Sequence, residues 1–301
     1  CALLEYRMAA PDISTPNQVA GSPLSRFPWP AIAWFGALLV VSYAPVLVRM
    51  FRQWMDDPDM GHGIFVPVVA AYMIWGKRQE VLAEPVSGNW WGLAVVGYGA
   101  LQLVIATLGA ELFLARTAFV ISIIGAVLLL GGTRVARQLA FPLALLFFMV
   151  PLPAIIFNQL TLPLQLLASR VAEVSLNLLG FPVLREGNIL ELASQRLSVA
   201  EACSGIRSLL SLTFLSLVYG YLFERKLWMR GALLVAAVPI AIVANSLRVT
   251  VSGILAEYNK EWAEGLFHLA EGWVIFLLAL VMLVVTHQLF NKVYSYARAK
   301  S

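Results

Sequence analysis

The sequence is poor in charged residues. Only 13% of its 301 residues are charged, whereas 60% are hydrophobic and the mean hydropathy is +0.80. A soluble domain carries about a quarter charged and about half apolar residues, so this composition excludes an ordinary soluble fold. The basic residues are scattered one or two to a loop, which argues against nucleic acid as a partner.

Cysteine and histidine are equally scarce. Cys1 and Cys203 are too few for a disulfide framework, and Cys203 alone lies in the part expected to fold. The three histidines are widely separated, and no H-E-x-x-H motif or cysteine pair accompanies them. A haem or metal protein is therefore disfavoured, and we expect no cofactor and no metal. His287, near the cytoplasmic end, receives no role.

Long hydrophobic runs dominate instead. A helix needs about 20 apolar residues to cross a bilayer core of about 30 Å. A shorter run, 62–76, follows an acidic loop and precedes Lys77 and Arg78. With it, the sequence predicts an all-α integral membrane protein with about eight transmembrane helices. The seven longer spans are 30–48, 90–109, 112–131, 139–157, 204–222, 231–253 and 268–289.

The segment 158–180 is leucine-rich but contains Pro163, Arg170 and Glu173. If it crossed the membrane, the basic segment 225–230 would lie outside, against the positive-inside rule. We therefore predict an interfacial or re-entrant helix on the outer side. Both termini are then expected in the cytoplasm.

Three segments follow from this topology. We expect a disordered cytoplasmic tail at 1–28, a polytopic membrane domain at 29–290 and a short basic cytoplasmic tail at 291–301. The chain begins with Cys rather than Met, and Met8 is the expected initiator. The long polar loop before Cys203 alternates apolar and polar residues, which predicts a short strand or hairpin.

Three chemically distinctive residues fall at the outer ends of three predicted spans: Cys203, Arg248 and His268. A thiol attacks acyl groups as thiolate, which cations and helix N-termini favour. An imidazole can take the thiol proton and return it to a leaving amine. A guanidinium stays charged and can stabilise an oxyanion. Together they predict a transpeptidase or cysteine protease site.

Each of these residues also has a structural interpretation. A lone cysteine in a membrane protein is more often a small packing residue, and a single interfacial histidine is more often structural than catalytic. An arginine within a span is costly and usually functional, although near a helix end it can extend to the interface.

Further candidates surround this set. Arg207 lies one turn after Cys203 on the same helical face, where it either contacts substrate or thiolate or supports packing. His62, at the start of the short span, faces the same side of the membrane. Glu201 is a candidate to orient a neighbour, although loop acids are usually only solvated.

Several segments together resemble the exosortases, membrane-embedded sorting enzymes of Gram-negative bacteria that are related to the archaeosortases. The resemblance covers roughly 30–290 and is most specific around Cys203. The matching segments are Glu201-Ala-Cys-Ser-Gly-Ile-Arg-Ser208, Asn245-Ser-Leu-Arg-Val249, His268 with Gly272-Trp273, Gly61-His-Gly-Ile-Phe-Val-Pro67 with Tyr72 and Trp75, and Arg185-Glu-Gly-Asn-Ile189.

The resemblance implies a Cys–Arg–His active site, here Cys203, Arg248 and His268. Arg207, Glu201, Asn245 and His62 are the expected substrate-binding residues. The implied partners are membrane-anchored proteins whose C-terminal signal combines a Pro-Glu-Pro-type motif, a spanning helix and a basic tail. Such enzymes accompany extracellular polysaccharide production and lie in the inner membrane, with the site facing the periplasm.

A second function class stays open: a transporter or a non-enzymatic component of polysaccharide export. Such proteins tend to place buried polar residues along a midplane pathway and often carry inverted repeats. Here the intramembrane charges are few and gather at one face. An assembly scaffold would leave the convergence of Cys203, Arg248 and His268 unexplained.

Overall fold

The computed structural model describes residues 28–193, 195–199, 206–258 and 266–300. Most of them are helical, because an apolar segment in lipid has to satisfy its backbone hydrogen bonds internally. Two 3₁₀ helices, Pro58–Ile64 and Leu146–Met149, interrupt the α-helices. The α-helices are α1 Trp29–Asp56, α2 Phe65–Gly76, α3 Arg78–Ala83, α4 Trp91–Leu108, α5 Leu112–Gln138, α6 Ala140–Leu145, α7 Ala154–Leu178, α8 Ile206–Phe223, α9 Leu227–Tyr258 and α10 Leu266–Lys300.

Within the described residues, six helices are long and apolar enough to cross a membrane: α1, α4, α5, α8, α9 and α10. The count rises to seven if the bent pair formed by 140–149 and 154–178 is one span. The predicted all-α membrane fold is confirmed, but the number of candidate spans is below the expected eight. The short predicted span 62–76 yields only the 12-residue α2, which is too short by itself.

The predicted span 139–157 is broken in the middle. The segment 140–149 and α7 meet at 83°, the geometry of a broken span or a re-entrant loop. Pro151 and Pro153 lie at the break, where their rings remove backbone donors and favour extended conformations before them. The indole Nε1 of Trp54 donates a hydrogen bond of 2.9 Å to the carbonyl of Met149 there. Most of the predicted re-entrant segment 158–180 is α7.

A small antiparallel sheet follows α7, so the expected hairpin is present and has a third strand. Its strands are β1 Val183–Glu186, β2 Ile189–Leu192 and β3 Arg196–Ser198, in the order β1-β2-β3. Gly187, with φ of +65°, makes the turn between β1 and β2. Leu190 and Leu192 pack on α7 and on Val249 of α9. The sheet therefore covers one end of the bundle.

Contacts between helix ends bring nine basic residues to the opposite end. Lys77 Nζ donates to the carbonyl of Gln138 over 2.9 Å, and Phe141 stacks on Tyr221 at 4.0 Å between ring centroids. The ends of α2, α5 and α8 therefore meet, and we call this the basic end. Its cations are Lys77, Arg78, Arg134, Arg137, Arg225, Lys226, Arg230, Lys292 and Arg298.

The two predicted terminal tails, 1–28 and 291–301, differ in how much of them the structure describes. Residues 1–27, most of the tail predicted to be disordered, lie outside the described part. Residues 291–300, predicted as a separate tail, continue α10 as helix.

Candidate functional site

The three helices that carry candidate residues, α8, α9 and α10, meet at one level at the basic end. The short link between α8 and α9 contains Glu224, and α10 reaches the same level because His287 Nε2 lies 3.1 Å from Glu224 Oε2. The α9 helix packs against both α8 and α10, and Leu212, Leu233 and Leu283 are fully buried between them. Distances along the three helices can therefore be measured from a common level at the basic end.

From that level the candidate positions reach similar heights. At about 1.5 Å per residue, Ile206 lies about 26 Å along α8, Arg248 about 32 Å along α9 and His268 about 28 Å along α10. The three heights agree to about 6 Å, close to one helical turn. We call this level the site end. It also holds the 3₁₀ helix Pro58–Ile64.

Two predicted residues of the site lie outside the described part of the chain. Cys203 and Glu201 belong to the segment 200–205, which immediately precedes α8. For His268 the structure describes the backbone, which belongs to the first turn of α10. The structure therefore locates the helix ends that flank these residues.

Arg248 and Asn245 lie one turn apart on α9, and both are buried, with exposed fractions of 7% and 3%. Ser246, Thr250 and Ser252 are also buried, which makes this stretch of α9 polar inside the protein. A guanidinium removed from water and lipid is costly to maintain. That cost favours a functional role for Arg248 over a packing one.

Asn245 lies where α7, α8 and α9 meet, beside Leu164, Leu209 and Ala241. Its Oδ1 is buried and has no hydrogen-bond partner among the described residues. A buried amide oxygen left unpaired costs about 1–3 kcal/mol. The space beside Asn245 is only about 10 Å³, enough for about one water molecule.

Arg207 forms an ion pair that sequence reasoning missed. Its Nε donates to Asp59 Oδ1 at 3.0 Å, which ties the first turn of α8 to the 3₁₀ helix Pro58–Ile64. The carboxylate of Asp57 in turn accepts a hydrogen bond from the backbone N–H of Asp59 at 2.9 Å. Because Asp59 and Arg207 are 148 positions apart, no local pattern in the sequence signals the pair.

His62 lines an apolar cavity of about 230 Å³, together with Met60, Phe148, Val150 and Leu210. Its ring lies 6.4 Å from that of Phe214 on α8. His62 lies outside the six candidate spans. Burial lowers the pKa of its imidazole, although hydrogen bonds with the backbone at Phe148 and Asp59 oppose this lowering. The imidazole is therefore neutral at pH 7, and the cavity offers one polar group in apolar walls.

Among the described residues, no three His, Cys, Asp or Glu side chains are grouped closely enough to hold a metal ion. The arrangement defines a multi-pass helical membrane protein whose candidate residues gather at one end of the bundle.

A family model described as transmembrane exosortase (Exosortase_EpsH) matches residues 54–285, more than half of the chain. The chain therefore belongs to the exosortase family of membrane-embedded sorting transpeptidases, which act on protein substrates. The matched region contains all seven candidate site residues. No curated protein and no solved structure matches the chain.

Proposed function

We propose that this protein is a cysteine-type transpeptidase of the bacterial inner membrane. Its substrates are exported proteins anchored by a C-terminal signal with a Pro-Glu-Pro-type motif, in cells that make extracellular polysaccharide. The observation that carries the proposal is the common height of the start of α8, Arg248 and the first turn of α10. The membrane domain, 29–290, is the catalytic unit.

In the proposed mechanism, the Cys203 thiolate attacks a peptide carbonyl carbon near the motif. Arg248 stabilises the oxyanion that forms, and its permanent charge suits that task. As the C–N bond breaks, His268 protonates the leaving amine. The signal helix departs and a thioester joins the substrate to Cys203. An incoming nucleophile then takes the acyl group and the thiolate is restored.

The residues around this centre supply substrate binding. The cavity beside His62 accepts an apolar side chain, and the unpaired Asn245 Oδ1 contacts the substrate through one water molecule. Arg207, held by Asp59, orients the first turn of α8 and presents its remaining N–H groups to the motif. Glu201 completes this set from the segment that precedes α8.

We assign the site end to the periplasm and the basic end to the cytoplasm. The cations gathered at the basic end support this orientation, because cytoplasmic segments carry the excess of Lys and Arg. A substrate anchored by one helix then presents its motif at the outer interface, level with Arg248.

The test is substrate processing in cells. A tagged protein that carries the three-part C-terminal signal is co-expressed with wild type, Cys203→Ala or Cys1→Ala and followed by a gel shift. We expect the shift with wild type and Cys1→Ala, which removes the only other thiol, and none with Cys203→Ala. Normal processing by Cys203→Ala would refute the cysteine mechanism.

Arg248 is tested in the same assay by Arg248→Lys. The substitution keeps the positive charge but loses the planar guanidinium. We expect processing to fall by about two orders of magnitude, as for the loss of an oxyanion donor. An Arg248→Lys variant as active as wild type would remove Arg248 from the mechanism.

A further inference from the structure

An open groove of about 680 Å³ lies at the basic end, far from the candidate active site. One wall is the link between α8 and α9, and the other is the last turns of α10. We call it the basic groove. Its polar and charged lining consists of Lys226, Asn291, Lys292, Tyr294, Ser295 and Arg298.

The described residues of the lining include no acidic side chain. Lys226, Lys292 and Arg298 supply three cations. The acid of the link, Glu224, is not among the residues that line the groove. Its Oε1 accepts hydrogen bonds from the backbone N–H groups of Arg225 and Lys226, at 2.7 and 2.9 Å, and Oε2 faces His287. Its charge is therefore engaged elsewhere.

Aromatic contacts hold the two walls of the basic groove together. Lys226 Nζ lies 3.9 Å from the ring centroid of Tyr294, close enough for a cation–π interaction. The rings of Trp228 and Tyr294 are 5.3 Å apart. His287 on α10 contacts Glu224 of the link through Nε2, and its Nδ1 lies 2.9 Å from the hydroxyl of Tyr219 on α8. The groove is thus arranged before any ligand arrives.

Exposed apolar side chains flank the basic groove on both walls. Leu227 and Trp228 are 78% and 53% exposed, and on α10 Val293 and Tyr296 are 67% and 72% exposed. In a spanning bundle such side chains face lipid, and Trp and Tyr favour the level of the headgroups. The groove therefore opens beside lipid headgroups, where positively charged pockets between helices recognise anionic lipids.

We propose that the basic groove binds a phosphate group, with Lys226, Lys292 and Arg298 surrounding its oxygens. Asn291 Nδ2 contacts His287 Nε2 at 2.9 Å and has a second N–H to donate, whereas the Ser295 hydroxyl donates to the backbone carbonyl of Lys292. Two sources carry this chemistry: the headgroup of an anionic phospholipid and free phosphate. The exposed apolar flanks favour the phospholipid headgroup, since a free anion gains nothing from them.

The experiment is native mass spectrometry of the full chain in detergent, titrated with phosphatidylglycerol and, separately, with phosphatidylcholine of the same acyl chains. Lys292→Gln/Arg298→Gln removes two cations of the groove. Arg134→Gln/Arg137→Gln removes two exposed cations of the basic end outside the groove and is the matched control. A thermal-shift arm with inorganic phosphate separates the two sources.

We expect phosphatidylglycerol to bind the wild type more tightly than phosphatidylcholine. Each cation near an anionic headgroup contributes about a fivefold gain in affinity, so Lys292→Gln/Arg298→Gln weakens binding roughly 25-fold. The control variant keeps the wild-type affinity. Ser295→Glu, which places a carboxylate in the groove of an otherwise unchanged chain, weakens binding as well.

Stabilisation of the wild type by phosphate as well as by phosphatidylglycerol, lost in the groove variant, supports a general phosphate site. Stabilisation by phosphatidylglycerol alone supports a lipid site. Equal affinity for the two lipids, or an equal loss in the control variant, overturns the proposal.

Discussion

Substitutions in the ion pair between Asp59 and Arg207 distinguish two roles of Arg207. One is contact with substrate or thiolate, and the other is support of the fold at the site end. Three variants form a double-mutant cycle: Asp59→Asn, Arg207→Gln and both together. Each single substitution removes one charge of the pair and leaves a neutral side chain that can still form a hydrogen bond. The chain immediately before Arg207 carries Cys203, so loosening the first turn of α8 displaces the proposed nucleophile.

The size of the effect follows from the geometry of the pair. Nε and Oδ1 are 3.0 Å apart, and the two side chains are 42% and 20% exposed. Exposed pairs contribute about 0.2–1 kcal/mol, so this half-exposed pair is worth about 1 kcal/mol. That energy corresponds to about a fivefold change in processing rate. For a purely positional role, each single variant and the double variant should all lose about fivefold.

The assay is the rate of substrate processing, measured by the gel shift over time. Glu173→Gln provides the control, because Glu173 pairs with Arg185 at 2.9 Å with similar exposure and lies on α7 rather than beside Cys203. We expect that variant to process at the wild-type rate. If Arg207→Gln lost far more activity than Asp59→Asn and the losses multiplied in the double variant, a direct role of Arg207 would replace the positional one.

Three further predictions concern stability, measured by thermal unfolding in detergent. Gly92→Ala should destabilise the fold by about 1–3 kcal/mol, because a Cβ there meets the backbone of Leu129 on α5, whereas Gly97→Ala, with open space, should not. Backbone donors at Lys226 hold the pKa of Glu224 to about 2, below its ordinary 4.5. Its carboxylate therefore stabilises the fold above pH 4.5, by about 1–2 kcal/mol after solvent screening, and this contribution is lost as the pH falls through 2. The destabilisation of Glu224→Gln should accordingly be smaller at pH 3 than at pH 7; an equal difference at both values would contradict the assigned pKa. Trp54→Phe should cost about 1 kcal/mol through the lost hydrogen bond to Met149, and an unchanged midpoint would show that this bond does not hold the break before α7.

Hydropathy alone determined most of the membrane fold. The predicted spans 90–109, 112–131 and 204–222 correspond to α4, α5 and α8, with starts that differ by no more than two residues. A spanning helix satisfies its hydrogen bonds within its own segment, so its signal is local. The family resemblance rested on short segments that are equally local, such as the one around Cys203.

Tertiary structure decided the features that depend on contacts between residues far apart in the sequence. The hydrogen bond of Trp54 to Met149, the ion pair of Asp59 with Arg207 and the contact of His287 with Glu224 each join segments far apart in the sequence. His287, to which the sequence assigned no role, proved to join α10 to the link between α8 and α9.

The common height of Arg248 and the first turn of α10 also depends on that contact, because it sets where α10 lies along α9. The sequence by itself determined where most of the long apolar helices lie, although it missed the break between 149 and 154 and the short length of α2. The levels and partners of these helices were decided by packing, since lipid tails are as apolar as a neighbouring helix and hydropathy does not mark which helix faces meet.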